Sequence, residues 1–407
     1  MMLLVSAISC ENISSATWYE HRKGYVTLKV VDKSGKPISG AKISYVQTNH
    51  SFLFGVGMTC PLPPFHHPYS LYKKLKEVGI NYALPWFSWG HIEPAPGKYD
   101  WGFIDELYMP GRLKKLGYTL VAHCFIWFYN EYGNLPGYLF NLNFNEFLDA
   151  VYRHTYDIVS HYRGVISHWT INEPMMHNPF KFTKGQWIEV FKTAVKAIRA
   201  ADPKGKIIVN VWPTPMPNIG YEPLKVLFTL ARNGVEFDLI GVEFYPIGNV
   251  PRDYNGYPSI PWIASVLDDL FRTFRKPIII SEVSVPKMPS EDAQAEWLRK
   301  LYTLAFMKPY MKGVVWYFLV DHSFIPGGGL FNYDYTPRKA FYTLKELLKQ
   351  WTTKGEGRTD FRGTFRFRGF AGEYNVIVSA PGYRTRTLKI YVQEGKGISL
   401  TITLDSL

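Results

Sequence analysis

The chain has few cysteines and no long apolar runs. Cys10, Cys60 and Cys124 are the only three in 407 residues, and no two of them stand in a C-x-x-C spacing. That pattern argues against a zinc ribbon or finger and against a disulfide framework. No apolar stretch after residue 10 reaches the roughly 20 residues that a membrane helix needs, and mean hydropathy is only −0.12. A helical membrane protein is excluded. Charged residues are also sparse, at 20%, while 46% of the chain is hydrophobic, so a large core forms and wholesale disorder is excluded. No G-x-G-x-x-G phosphate loop follows the first strand-like run, against the expectation for a dinucleotide-binding sheet. No Lys or Arg precedes the short apolar stretch at the start, so the secretory signal is incomplete. Residues 1–19 are read as a leader or N-terminal extension, and an extracellular location is the expectation.

Two features are abundant instead. Aromatics reach 16%, with 12 Trp, 28 Tyr and 27 Phe. Most of these rings belong to a core; a minority lining a groove could stack on flat ligands such as sugar rings or bases. Net charge is +12, which raises nucleic acid as a partner. However, the cations form no single run and no nucleic-acid motif accompanies them. Segments 20–48 and 355–407 concentrate the excess, with 14 Lys and Arg against 7 Asp and Glu. This is the composition of a solvated basic face, with an acidic polysaccharide or cell envelope as the alternative partner.

The hydrophobic pattern changes twice along the chain. Residues 24–48 read as two alternating strands joined by a turn at Asp32–Gly35. From about 52 to 351, apolar runs alternate with amphipathic helical segments. The strand-like runs are Phe52–Gly57, Tyr82–Phe87, Thr119–Phe128, Ile166–Ile171, Ile207–Trp212, Leu239–Tyr245, Ile278–Val283 and Val314–Leu319. Helical patterns follow over about 66–79, 103–117, 143–164, 183–202, 221–233, 261–274, 291–308 and 336–351. Eight strand–helix units over about 300 residues predict a TIM (β/α)8 barrel of the α/β class. After 351 the pattern returns to strands through 405. Four segments result: 1–19 as above, 20–50 as the first strands of a β-sandwich, 51–352 as the barrel, and 353–407 as the remaining strands of that sandwich.

Barrel enzymes carry their chemistry at the C-terminal ends of the strands. The fourth strand ends His168-Trp169-Thr170-Ile171-Asn172-Glu173-Pro174, and the seventh reads Ile278-Ile279-Ile280-Ser281-Glu282. A carboxylate closing a buried apolar strand is costly unless paired or functional. Two of them, on strands four and seven, suit glycoside hydrolysis, in which an acid/base and a nucleophile stand about 5–5.5 Å apart in retaining enzymes. Asn172, beside Glu173, is set to hydrogen-bond a sugar 2-hydroxyl.

The ordered set of motifs resembles glycoside hydrolase family 10, the endo-β-1,4-xylanase family, over nearly all of 52–351. The resemblance rests on Phe52-Leu53-Phe54-Gly55, the stretch from Trp89 to Asp100, His123 and Trp127, Ile171 to Pro174, Asn210, Glu282, Trp316 with Asp321, and the stretch from Asn332 to Phe341. It implies Glu173 as acid/base and Glu282 as nucleophile. The substrate-binding set comprises Asn172, His123, Trp127, Trp89, Asn210, Trp212, Glu243, Tyr245 and Trp316. His123, Trp127 and Trp89 can each be read as core or as groove, and Trp316 is expected to form a platform under the sugar at the cut. Pro85, Ser88 and Phe128 stand where the family carries polar grips on the sugar, and Glu243-Phe244-Tyr245 replaces its Gln-x-His. Tyr245 is expected to hold the nucleophile.

The reading is therefore a retaining endo-glycosidase for a β-1,4-linked plant polysaccharide, with xylan as the expected substrate. It calls for no cofactor, no metal and no nucleic acid, and a monomer is the expected state. An endo-β-1,4-glucanase, or an enzyme with both activities, is the nearer alternative; a non-catalytic carbohydrate-binding barrel is the more distant one. The flanking segments together resemble a transthyretin-like sandwich of the carboxypeptidase regulatory type, interrupted after its second strand by the barrel.

Overall fold

The computed structural model describes residues 19–58 and 67–407. The expected leader, apart from Tyr19, lies outside the described residues, as do Cys10, Cys60 and the start of the first expected helix. Two compact units emerge, one of residues 52–351 and one combining the chain before 52 with the chain after 351. No described helix is long and apolar enough to cross a membrane.

In the second unit, β1 (Lys23–Val31) lies between two strands from the far end of the chain, pairing antiparallel with β12 (Thr364–Phe370) and parallel with β15 (Gly397–Thr403). β2 (Lys42–His50) lies in a different sheet, between β11 (Lys354–Arg358) and β13 (Gly372–Ser379), with β14 (Arg386–Val392) at the edge. β1 and β2 are thus not a hairpin, although the turn between them forms. Asp32 Oδ1 caps the amides of Ser34 and Lys36, and the Ile38 amide returns to Val30 O. Gly40, at φ 71°, then takes the chain across to the other sheet. Alternation explains why the strands separate. Val26, Leu28 and Val30 of one sheet share a core with Ile43, Tyr374, Val376, Val378 and Ile390 of the other. Side-by-side pairing would leave each apolar face uncovered. β11 escapes sequence reading because Lys354-Gly355-Glu356-Gly357-Arg358 has neither β-branched nor aromatic residues.

In the other unit, eight parallel strands among the described residues close into a barrel: β3 (Leu53–Gly57), β4 (Tyr82–Leu84), β5 (Thr119–Ile126), β6 (His168–Asn172), β7 (Lys206–Val211), β8 (Leu239–Phe244), β9 (Ile278–Val283) and β10 (Met311–Trp316). Leu84, Val121, Ile208, Leu239, Ile279 and Val315 pack inside it. The long helices are closed at their starts by side chains. Asn143 and Glu146 form a capping box on Phe144–Tyr162, and Thr183 and Gln186 form one on Lys184–Ala201. The helix expected over 103–117 is instead two, Trp101–Leu107 and Pro110–Lys115. The residue before a proline avoids the α region; Met109 is left-handed at φ 49°, and Pro110 starts the second helix.

Candidate active site

Irregularities in three strands build the site. In β5 the pairing with β6 breaks between Ala122 and Ile126, and Cys124 sits at φ 56°. Side chains of β6 hold this bulge. Thr170 Oγ1 donates to Ala122 O at 2.8 Å, and Asn172 Oδ1 accepts the Cys124 amide at 3.1 Å. β6 then ends, and Glu173 takes a left-handed backbone at φ 43°, with its amide donating to Asn210 O at 2.8 Å. In β9, Ser281 is an extra residue against β8, so Glu243 and Glu282 come into direct cross-strand register.

The Glu173 carboxyl is held through one oxygen. Trp127 Nε1 donates to Oε2 at 2.8 Å, and His177 Nε2 lies 3.1 Å from the same oxygen. With His177 as a donor, both bonds fix Oε2 and leave Oε1 for a ligand. His177 escaped the sequence reading, although it stands only four residues beyond Glu173. The Tyr129 ring lies tilted against that of His177 at 4.3 Å and against that of Trp127 at 4.9 Å, so a half-exposed ring cluster flanks this side.

The Glu282 carboxyl is held through both oxygens. Tyr245 Oη donates to Oε2 at 2.8 Å, and Asn210 Nδ2 approaches Oε1 at 3.4 Å. His123 Nε2 is 2.9 Å from Oε1 but off the direction of a ring N–H hydrogen bond, so the contact is one of proximity. Burial, and then the Glu282 charge, hold the Tyr245 phenol well above its usual range, which keeps it a donor.

Asn210 joins the parts. Its Nδ2 donates to Glu243 Oε1 at 2.6 Å, its Oδ1 accepts from Ser281 Oγ, and its carbonyl takes the Glu173 amide. Glu243 is buried, and its carboxyl is pushed well above the ordinary range by burial, then by Glu282 and Glu173. A methyl group on Gly241 would sit 2.5 Å from Asn210 Oδ1 and 2.9 Å from Ser281 Oγ. Gly241→Ala should therefore break this linkage and cost about 1–3 kcal/mol, read as a lower denaturant midpoint together with reduced activity.

Four expected ligand contacts need correction. Trp316 is fully buried and donates to Gly328 O, with Trp297 against its ring. Strand alternation is the reason: Val315 faces into the barrel, so Trp316 faces out toward the helices. The next residue, Tyr317, points back to the site, 5.4 Å from the His123 ring and 6.3 Å from that of Tyr245. Trp89 is core, stacked on His154 at 3.9 Å, with Nε1 donating to Glu93. Trp212 is buried behind Tyr245, with its indole N–H donating to Thr214 Oγ1. Asn210 is completely buried and uses both ends of its amide on protein groups. His123, Trp127, Asn172, Glu243 and Tyr245 do converge with Glu173 and Glu282.

Comparison with known proteins fits this geometry. A model of the family described as Glycosyl hydrolase family 10 matches residues 86–347. The chain is 30% identical over 385 residues to Anti-sigma-I factor RsgI6 of Acetivibrio thermocellus, covering 93% of this chain and 48% of that relative. It is 24% identical over 404 residues to Endo-1,4-beta-xylanase 1 of Arabidopsis thaliana, covering 94% of this chain and 39% of the relative. The chain thus spans about half or less of these two relatives. Xylanase 10B of Thermotoga petrophila, solved with xylobiose, superposes with a TM-score of 0.57 at 21% identity over 74% of this chain and 95% of that one. That likeness is one of fold.

Proposed function

The chain belongs to glycosyl hydrolase family 10, and from that premise we propose that it is a retaining endo-β-1,4-xylanase with Glu173 as acid/base and Glu282 as nucleophile. The observation that carries this reading is a pair of glutamates, one just after β6 and one in β9, linked through Asn210 and each fixed by its own donors. Glu282 Oε2, steadied by Tyr245, attacks the anomeric carbon. Glu173 Oε1 gives its proton to the departing glycosidic oxygen and then takes one from the water that releases the glycosyl-enzyme. Trp127 and His177 keep Glu173 Oε2 occupied so that the proton is delivered from Oε1. Asn172, whose Oδ1 is committed to the β5 bulge, offers Nδ2 to the sugar 2-hydroxyl. Tyr317 takes the platform role expected of Trp316.

Substrate choice is less narrow in this reading than an exclusive xylanase would require. Ser88 is fully buried with its hydroxyl on His91 Nδ1, and Phe128 is packed among Phe147, Trp187 and Phe191. The buried Ser88 hydroxyl is engaged by His91, and Pro85 and Phe128 bring no polar side-chain group, so grips of the family's kind are missing at these positions, and a site lacking hydrogen bonds to a hydroxyl discriminates weakly. Reducing-sugar release from xylan, carboxymethyl cellulose, mixed-linkage glucan and mannan tests the proposal. The expected result is hydrolysis of xylan, with kcat/KM for xylo- over cello-oligosaccharides of equal length below about a hundredfold. No release from any of the four would favour the second reading, a barrel that binds polysaccharide without cutting it.

A further inference from the structure

The pair of buried glutamates in β8 and β9 poses a problem of charge. Glu243 and Glu282 are direct cross-strand partners, each less than a tenth exposed. Like charges directly opposite in a sheet destabilise it, and two neighbouring carboxyls in a low-dielectric site do not both ionise. One amide, Asn210 Nδ2, reaches both, at 2.6 Å from Glu243 and 3.4 Å from Glu282.

We infer that Glu243 is carried as a neutral carboxylic acid, a positioning residue that fixes Asn210 and leaves Glu282 as the one charged member of the pair. The inference rests on reading Glu282 as the nucleophile. Every group facing the pair points the same way. Around Glu243 stand Glu282 from β9, Glu173 beyond β6, Cys124 from β5, Tyr245 from the end of its own strand, and Tyr221 from the segment after β7. None of these can carry positive charge. His123 is the group that can, and its Nε2 lies against Glu282. Tyr245 Oη likewise donates to Glu282. Glu243 has no ion pair among the described residues, and its single protein hydrogen bond there is the one from Asn210 to Oε1. The proton therefore resides on Oε2. Burial raises the Glu243 carboxyl in the same sense, because a low-dielectric site disfavours the charged form.

The consequence for stability has a definite sign. A carboxyl with a raised value in the folded state holds its proton where the unfolded chain, near about 4.3, has lost it. Folding of the wild type then takes up a proton, and stability falls as pH rises above that point. Glu243→Gln has the same shape without that proton. The folding constant of Glu243→Gln relative to wild type should therefore rise by about tenfold per pH unit above pH ~4.3, until the folded-state value is reached. Denaturant unfolding of the barrel from pH 4 to 8 measures this, and a pH-independent ratio would overturn the inference.

Infrared spectroscopy gives a second readout for the case in which the variant folds poorly. In Glu173→Gln, a protonated-carboxyl band should persist at pH 7 and vanish on adding Glu243→Gln. Its absence from the first protein would also overturn the inference. On the alkaline side, the ratio of variant to wild-type kcat/KM should rise, because ionised Glu243 in the wild type would compete for Asn210. Both spectroscopic and stability readouts are independent of turnover, so a failure of the hydrolase reading would be recognised separately, by the absence of activity in the wild type.

Discussion

Glu282→Ala should lower xylan hydrolysis by about ten-thousand-fold or more, the scale on which enzymes lose activity with their nucleophile. The variant should fold, because Tyr245 and Asn210 keep other neighbours: the Tyr245 ring contacts Tyr317, Phe318 and Phe324, and Asn210 still holds Glu243 and Ser281. Glu173→Ala should behave differently. Loss of a general acid costs about a hundredfold to ten-thousand-fold, but only where the leaving group needs a proton. Aryl xylosides with strongly acidic phenols should keep a near wild-type first step and accumulate the glycosyl-enzyme. Steady-state rates on xylan and on a series of aryl xylosides separate the two roles. Equal losses on all leaving groups in Glu173→Ala would contradict the acid assignment.

Deleting residues 355–407 should have the largest effect on folding. The deletion removes both neighbours of β1, namely β12 and β15, and takes β13 and nearly all of β11 from β2. Val26, Leu28, Val30 and Ile43, all buried to within about a hundredth of their surface, would then face water at about 1.5–3 kcal/mol each. Amide exchange of β1 should accelerate by about a thousandfold or more, toward that of an unfolded segment. Residues 20–50 should also become the first site of proteolysis. If β1 stayed protected in the truncated chain, the proposal that the two chain ends fold as one domain would fail.

Much of the barrel was legible in the sequence because buried parallel strands are short, continuous and apolar, and each is followed by an amphipathic helix. Glu173 and Glu282 stood out in the sequence for a related reason: charge at the end of such a strand is conspicuous. What lay hidden depends on parity and irregularity. Trp316 and Tyr317 are adjacent, and a one-residue difference decides which faces the helices and which the site. Ser281 is a small residue in an apolar run, and nothing local marks it as the bulge that aligns Glu243 with Glu282. Nor does the sequence distinguish a polar residue that meets ligand from one that orients others, so Asn210 was read as a sugar contact. The pairing of β1 was beyond local reading altogether, because its partners lie more than 300 residues away.

Glu282, and not its cross-strand partner Glu243, is the residue expected to form the bond to the sugar. A 2-deoxy-2-fluoro xylobioside with an activated leaving group slows the second step of a retaining enzyme and traps the glycosyl-enzyme. Peptide mass spectrometry of the inactivated protein should find one fluoroxylobiosyl group per chain, on the peptide that contains Glu282, with Glu243 unmodified. Label on Glu243 or Glu173, or failure to inactivate an enzyme that turns over xylan, would contradict it.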